Sequence, residues 1–166
     1  RSSGLKLDER GYVTVDGYGR TNLDGVWALG DITPGHARAH RAFEQGITIA
    51  EKIAGADPKP VIDDTVPQVV FSFPEAASVG LTLDQAKARE DVVEPKETAY
   101  PMLSNARMLM SGEGGSMTVV SGAFANNPDM QVVLGVHIVS PIASDLIAEA
   151  DQLVGNRIPL ADAARL

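Results

Sequence analysis

The 166-residue chain contains no cysteine. That excludes a disulfide framework, a thiolate zinc site, an iron–sulfur cluster and any thiol nucleophile within the chain. It leaves the compartment open, because a thiol-free chain is compatible with either redox environment. No apolar run approaches the roughly 20 residues a membrane span requires, and no signal-peptide pattern opens the chain. Basic side chains are scarce in one part only. Residues 1–60 hold eight basic and eight acidic groups, whereas residues 61–166 hold six and fourteen, which accounts for the net charge of −8. Nucleic acids and anionic membrane surfaces are bound by basic patches, so neither is an expected partner. The acidity itself reads as a soluble, self-repelling surface. What remains is 44% hydrophobic, enough to bury a core in one domain or slightly more. The first residue is Arg1 rather than Met, and the chain is expected to be a piece of a longer polypeptide.

The pattern along the chain changes near residues 56–60, A-D-P-K-P, a short linker by composition. Before it, residues 11–15 read as a short strand running into the Asp16-Gly17 turn. The run Val26-Trp27-Ala28-Leu29 lacks alternation and suits a strand buried on both faces, as in a parallel sheet. Residues 36–54 read as a helix with an apolar stripe through Ala39, Ala42, Phe43, Gly46, Ile47, Ile49, Ala50 and Ile53. After the linker, residues 66–73 are strand-like, and Thr82 and Gln85 have capping-box spacing for a helix through about Arg89. Further strands are predicted over 95–100, 116–123 and 131–139. The last two should pair antiparallel across a turn containing Asn126-Asn127-Pro128-Asp129. Gly112-Glu113-Gly114-Gly115 reads as a hairpin turn. Ser140 is expected to cap a helix with Pro141 at its first position, lined by Ile142, Leu146, Ile147, Ala150 and Leu153. Pro159 should open another helix that the end of the chain interrupts at Leu166. The order implies an α+β domain appended to a piece of α/β structure.

Chemistry concentrates in residues 21–31, T-N-L-D-G-V-W-A-L-G-D, followed by the helix. A buried strand ending in Gly30-Asp31 places a carboxylate at the C-terminal edge of a sheet, where open α/β sheets bind ligands. Gly30 permits close approach, and Asp31 accepts hydrogen bonds from sugar or polyol hydroxyls. The following helix turns its N-terminus and positive dipole end toward the same space. A polyhydroxylated, partly anionic cofactor fits these features. Other constellations carry less. His36, His40 and Glu44 are spaced i, i+4, i+8, but the helix begins near 37, so they read as a polar helix face. His137 lies in an apolar strand and reads as a hydrogen-bonded core or interface side chain. Asp145 and Glu149 read as a solvated or interface surface, and no serine sits in a G-x-S-x-G elbow.

Residues 21–31 resemble the second FAD-binding fingerprint of the pyridine nucleotide–disulfide oxidoreductases, T-x-x-x-G-(apolar)-(aromatic)-A-(apolar)-G-D. The continuation I-T-P-G-H-A-R-A-H-R-A-F-E-Q-G (32–46) is similar to the segment that begins a helix beside the flavin in that family's dihydrolipoamide-oxidising branch. V-P-Q-V-V-F-S-F-P-E-A-A-S-V-G-L-T (66–82) resembles the start of the family's dimer-interface domain. V-L-G-V-H-I-V-S-P-I-A-S-D-L-I-A-E-A (133–150) resembles its last central strand and following helix. Ordered blocks over nearly the whole chain are more specific than any single motif.

The resemblance implies that residues 1–57 are the C-terminal portion of an FAD-binding domain, its final strand and helix. Residues 61–166 would be an α+β dimer-interface domain, an antiparallel sheet flanked by helices and truncated at its C-terminus. It implies FAD and NAD as cofactors of the parent protein, with neither held stably by this chain alone. Asp31 would hydrogen-bond the ribityl chain with Gly30 permitting the approach, and the main chain at Ala37, Arg38, Ala39 and His40 would lie along the pyrimidine edge of the flavin. His36, Ala37 and Arg38 depart from the usual Pro, Met and Leu; main-chain contacts tolerate such changes, and Arg38 is expected to face solvent. The parent is expected to be a cytoplasmic homodimer that oxidises dihydrolipoamide and works with lipoyl-bearing acyltransferase complexes. The redox cysteine pair, the glycine-rich pyrophosphate fingerprint, the NAD fold and the His-Pro acid–base segment are not in this sequence, so no catalytic residue is expected here. A mercuric, mycothione or glutathione-type reductase is the alternative within the family. A non-catalytic dimerisation module is the alternative for the chain as it stands.

Overall fold

The computed structural model describes residues 3–165. Arg1, Ser2 and Leu166 lie outside the described residues; the last helix, expected to run until the chain interrupts it at Leu166, ends already at Ala163 with Ala164 as its C-cap. The chain forms two compact units, Arg1–Asp63 and Asp64–Leu166.

In the first unit the strands expected over 11–15 and 26–29 are reduced to single bridges, Leu7 with Val13 and Arg20 with Trp27. Two aspartates hold local turns around the first of these and beside Arg20. Asp8 Oδ1 accepts the Arg10 and Tyr12 amides, and Asp16 Oδ1 accepts those of Tyr18 and Arg20, all at 2.9 Å. These local turns occupy donors that a ladder would need. In the 26–29 run only Ala28 is buried, its amide bonded to Gly19 O, while Val26 and Leu29 remain exposed. A short 3₁₀ turn, Gly30–Ile32, then leads to helix α1, Ala39–Ile53. The helix begins three residues later than predicted because Arg38 is extended (φ −139°, ψ 134°). Its inner face differs from the expectation too. Arg41, Thr48 and Ile49 are buried, whereas Phe43, Ile47 and Ile53 of the apolar stripe are exposed.

The second unit is a five-stranded antiparallel sheet with four helices. Its strands are β1 (Gln68–Val70), β2 (Glu75–Gly80), β3 (Val92–Pro101), β4 (Ser116–Phe124) and β5 (Asn127–Ser140), in the order β1-β2-β5-β4-β3. The helices are α2 (Leu83–Ala88), α3 (Ala106–Ser111), α4 (Ala143–Gly155) and α5 (Leu160–Ala163). The predicted capping box of α2 forms in full: Thr82 Oγ1 accepts Gln85 N–H at 3.2 Å and Gln85 Oε1 accepts Thr82 N–H at 2.9 Å. β4 and β5 join through a tighter turn than predicted, with Phe124 facing Asn127. Gly112 is no hairpin residue; it closes α3 in the left-handed conformation (φ 70°).

One strand serves two cores. Val133, Val136 and Ile138 of β5 pack with Ala77 and Val79 of β2 against Ala143, Ile147, Ala150 and Val154 of α4. Val132 and Leu134 join Leu81, Ala86, Val92 and Val120 in a second cluster. Strict alternation would not divide β5 this way. A register shift at Val120–Ser121 opposite residues 133–135 inserts an extra residue and reverses the facing. Beside it Gly80 pairs with Gly135. Gly80 has φ 79°, and a Cβ there would lie against the Leu134 carbonyl oxygen and 2.7 Å from Gly135 Cα. Only two glycines allow this approach.

The entry to α4 is also built differently from the expectation. Ser140 Oγ accepts only the Ile142 amide, at 3.3 Å, and α4 starts at Ala143. The helix N-terminus is instead bonded by Glu75 of β2, whose Oε2 accepts Ser144 N–H at 2.8 Å. That bond holds the Glu75 carboxyl below its ordinary pKa.

Candidate functional site

The residues singled out for cofactor binding come from two adjoining stretches, Gly30-Asp31 and 37–40. Gly30 is buried, with φ 71°. Its amide donates to Gln45 Oε1 of α1 at 2.8 Å, and its carbonyl accepts the Thr33 amide (3.0 Å) and hydroxyl (2.8 Å). A Cβ on Gly30 would stand 3.3 Å from Ala42 Cβ. The turn is therefore seated directly on the opening turns of α1, and its backbone cannot move away from the helix without breaking these bonds. Asp31 follows with an exposed side chain.

Arg38 is the N-cap residue and Ala39 and His40 open the helix; no side chain caps it. The first intrahelical bond runs from Ala42 N–H to Arg38 O at 3.2 Å. The early amides of α1 carry the positive end of the helix dipole, and Gly30, the neighbour of Asp31, contacts the helix at Ala42 and Gln45. Arg38 is partly buried rather than fully solvated, and its Nη1 donates to Ala37 O at 2.9 Å. Such a surface offers acceptors to hydroxyls and a favourable field to a delocalised anion.

Two contributors had no local sequence signal. Gln45, fifteen residues from Gly30, fixes the turn through its carboxamide. Arg41 reaches Asp63 Oδ1 (2.6 Å) and Pro34 O (2.6 Å), tying α1 to both flanking segments. Among the remaining candidates, His36 precedes α1 and so does not share a helix face with His40 and Glu44. His137 Nε2 lies 3.1 Å from Leu81 O inside the sheet. Asp145 and Glu149 are exposed on α4. Among the described residues no helix is long and apolar enough to cross a membrane.

Fold defines a class first: an α+β domain built on a five-stranded antiparallel sheet, preceded by a unit that ends in a tight turn and a helix. The profile of the pyridine nucleotide-disulphide oxidoreductase dimerisation domain matches residues 66–166, and that of the pyridine nucleotide-disulphide oxidoreductases matches residues 1–46. The chain belongs to this family. It is 42% identical over 149 residues to a dihydrolipoyl dehydrogenase of Cupriavidus necator, a match covering 89% of this chain and 30% of that protein. Among solved structures, LpdA of Mycobacterium tuberculosis superposes with a TM-score of 0.86 at 32% identity, over 98% of this chain and 34% of that one. The HOCl-induced flavoprotein disulfide reductase RclA of Escherichia coli shares the fold, with a TM-score of 0.78 at 22% identity over 98% of this chain and 37% of its own. The chain thus spans about a third of the length of these relatives.

Proposed function

We propose that this chain is part of a flavoprotein disulfide oxidoreductase, a dihydrolipoamide dehydrogenase, that uses FAD and NAD. In this reading residues 1–57 complete the FAD-binding domain and residues 61–166 form the subunit interface of a homodimer. The Asp31 carboxylate accepts hydrogen bonds from the ribityl hydroxyls, and Gly30 keeps the main chain close enough for the contact. The main chain of Ala37, Arg38, Ala39 and His40 runs along the pyrimidine edge of the flavin, where the helix dipole favours developing negative charge. FAD, when bound, supplies reversible electron transfer between a dithiol and nicotinamide. The dithiol and acid–base groups come from other segments of the whole enzyme, since this sequence has no cysteine. Its partners in the cytoplasm would be lipoyl-bearing acyltransferase complexes.

The observation that carries this reading is the seating of Gly30, next to the exposed Asp31, on a helix whose N-terminus has no side-chain cap. An exposed polyol acceptor and a positive dipole end suit FAD. The test is a chimera in which this chain replaces the matching 149 residues of the Cupriavidus necator dihydrolipoyl dehydrogenase. The chimera is expected to purify as a yellow dimer reducing NAD with dihydrolipoamide, and Asp31→Ala in it should lower flavin occupancy. A folded, dimeric chimera that retains full flavin after Asp31→Ala would refute the assigned contact. One that holds no flavin at all would refute the family role of the segment.

A further inference from the structure

We propose that two side chains of α1, Arg41 and Gln45, are positioning residues for the flavin and that each sets a different property of it. The proposal rests on the reading of residues 30–31 and 37–40 given above. Arg41 and Gln45 lie one helical turn apart (i, i+4) and so share a face of α1, the one that also buries Thr48 and Ile49. Each anchors one of the two stretches assigned to the cofactor.

Gln45 anchors the first. It is half-buried, and its Oε1 accepts the Gly30 amide at 2.8 Å. The Gly30 carbonyl is taken by the buried Thr33, whose hydroxyl donates at 2.8 Å. Both main-chain polar groups of Gly30 are therefore bonded, and the peptide that carries Asp31 has little freedom to rotate.

Arg41 anchors the second. It is 5% exposed. Its Nε meets Asp63 Oδ1 and its Nη2 donates to Pro34 O, both at 2.6 Å. The chain passes so close to this pair that a Cβ on Gly35 (φ 117°) would collide with Asp63 Oδ2 and Arg41 Nη2. Residues 34–35 are thus pinned to a buried ion pair immediately before the main chain enters 37–40, and breaking such a pair is costly.

The two anchors have different consequences because the stretches face different chemistry. Ribityl hydroxyls are the same in oxidised and reduced flavin, so loosening Asp31 weakens both forms alike and leaves the reduction potential unmoved. Negative charge gathers at the pyrimidine edge only on reduction. Loosening 37–40 therefore weakens the reduced form more and lowers the potential.

The test uses the full-length chimera described above. FAD affinity is read from the flavin fluorescence change on titrating FAD into the apoprotein, and the midpoint potential from a dye-referenced reductive titration. Gln45→Met keeps the length of the side chain without the acceptor, and should weaken FAD about tenfold, the effect of one hydrogen bond, with no change in potential. Gln45→Glu keeps an acceptor oxygen and should restore affinity to within about threefold. Arg41→Lys keeps a cation but loses the fork that reaches Asp63 and Pro34 together. It should lower the potential by about 30 mV, the two-electron equivalent of a tenfold weaker hold on the reduced form. If Arg41→Lys fails to fold, Gly35→Ala, which changes no charge, should shift the potential in the same direction; if neither folds, the two Gln45 variants decide. Undiminished affinity in Gln45→Met, a potential shift there as large as in Arg41→Lys, or an unmoved potential in a folded Arg41→Lys or Gly35→Ala would each overturn the proposal. Failure of the underlying reading shows earlier, as an unsubstituted chimera without flavin, and would take the proposal with it.

Discussion

Replacing Gly80 by alanine tests whether the two-core division of β5 depends on the close approach of β2. Two costs arise. Holding alanine at φ 79° costs about 1–2 kcal/mol relative to glycine. The new methyl would also displace the Leu134 carbonyl, which accepts the Leu81 amide at 2.9 Å. Losing that bond and overpacking the pair adds about 2–3 kcal/mol. The sum is about 3–5 kcal/mol, a large share of the ~5–15 kcal/mol that stabilises a typical domain. Gly112→Ala is the internal control. Gly112 has φ 70° but nothing within 4 Å of the would-be Cβ, so it should lose only the backbone cost of about 1–2 kcal/mol. Urea unfolding should be followed by far-UV circular dichroism, because the single tryptophan, Trp27, lies in the other unit. If the two variants unfold within about 0.5 kcal/mol of each other with equal denaturant slopes, the close-approach argument is wrong.

Glu75 carries a pH signature. Its carboxyl lies below the ordinary value of 4.5 because it accepts the Ser144 amide. Its stabilising effect is therefore fully present above that value and is lost as pH falls through the lowered one. Glu75→Gln should flatten the acid side of the stability–pH curve, read by thermal melts at stepped pH; an unchanged slope would count against the cap. Ile147→Ala, at a 4% exposed position between α4 and the sheet, should cost about 2–5 kcal/mol, and a loss below about 1 kcal/mol would mean α4 is not docked as described. The purified chain should sediment as a dimer or larger, without a flavin absorbance band or NAD-dependent diaphorase activity. A stoichiometric flavin band would show that residues 1–57 need no further segment to hold the cofactor.

What could be read in advance followed local chemistry. The Thr82–Gln85 box, the β4–β5 hairpin and the apolar face of α4 rest on residues a few positions apart, and each appears in the structure. β2 was not legible: E-A-A-S-V-G has little strand character by itself and becomes a strand because β1 and β5 flank it. The short α3 has no counterpart among the predicted elements. The cap of α4 was assigned to Ser140 next door, whereas the structure uses Glu75, 69 residues away. The candidate site shows the same division. Gly30-Asp31 and the helix after it were visible as a motif, but the Gln45 bond that seats the turn and the Arg41–Asp63 pair span fifteen and twenty-two residues. No periodicity encodes such long-range polar contacts.

The strand order also dictates a schedule during synthesis. β4 and β5 are adjacent in the chain and can zip as soon as both have left the ribosome. β2 emerges far earlier, yet its partner across the Gly80–Gly135 pair follows about 55 residues later. Until residue 140 has emerged, Ala77 and Val79 have neither β5 nor α4 to cover them. β2, made early, is thus among the last strands of this sheet to be sheltered, and it is there that a chaperone would find its longest opportunity to bind.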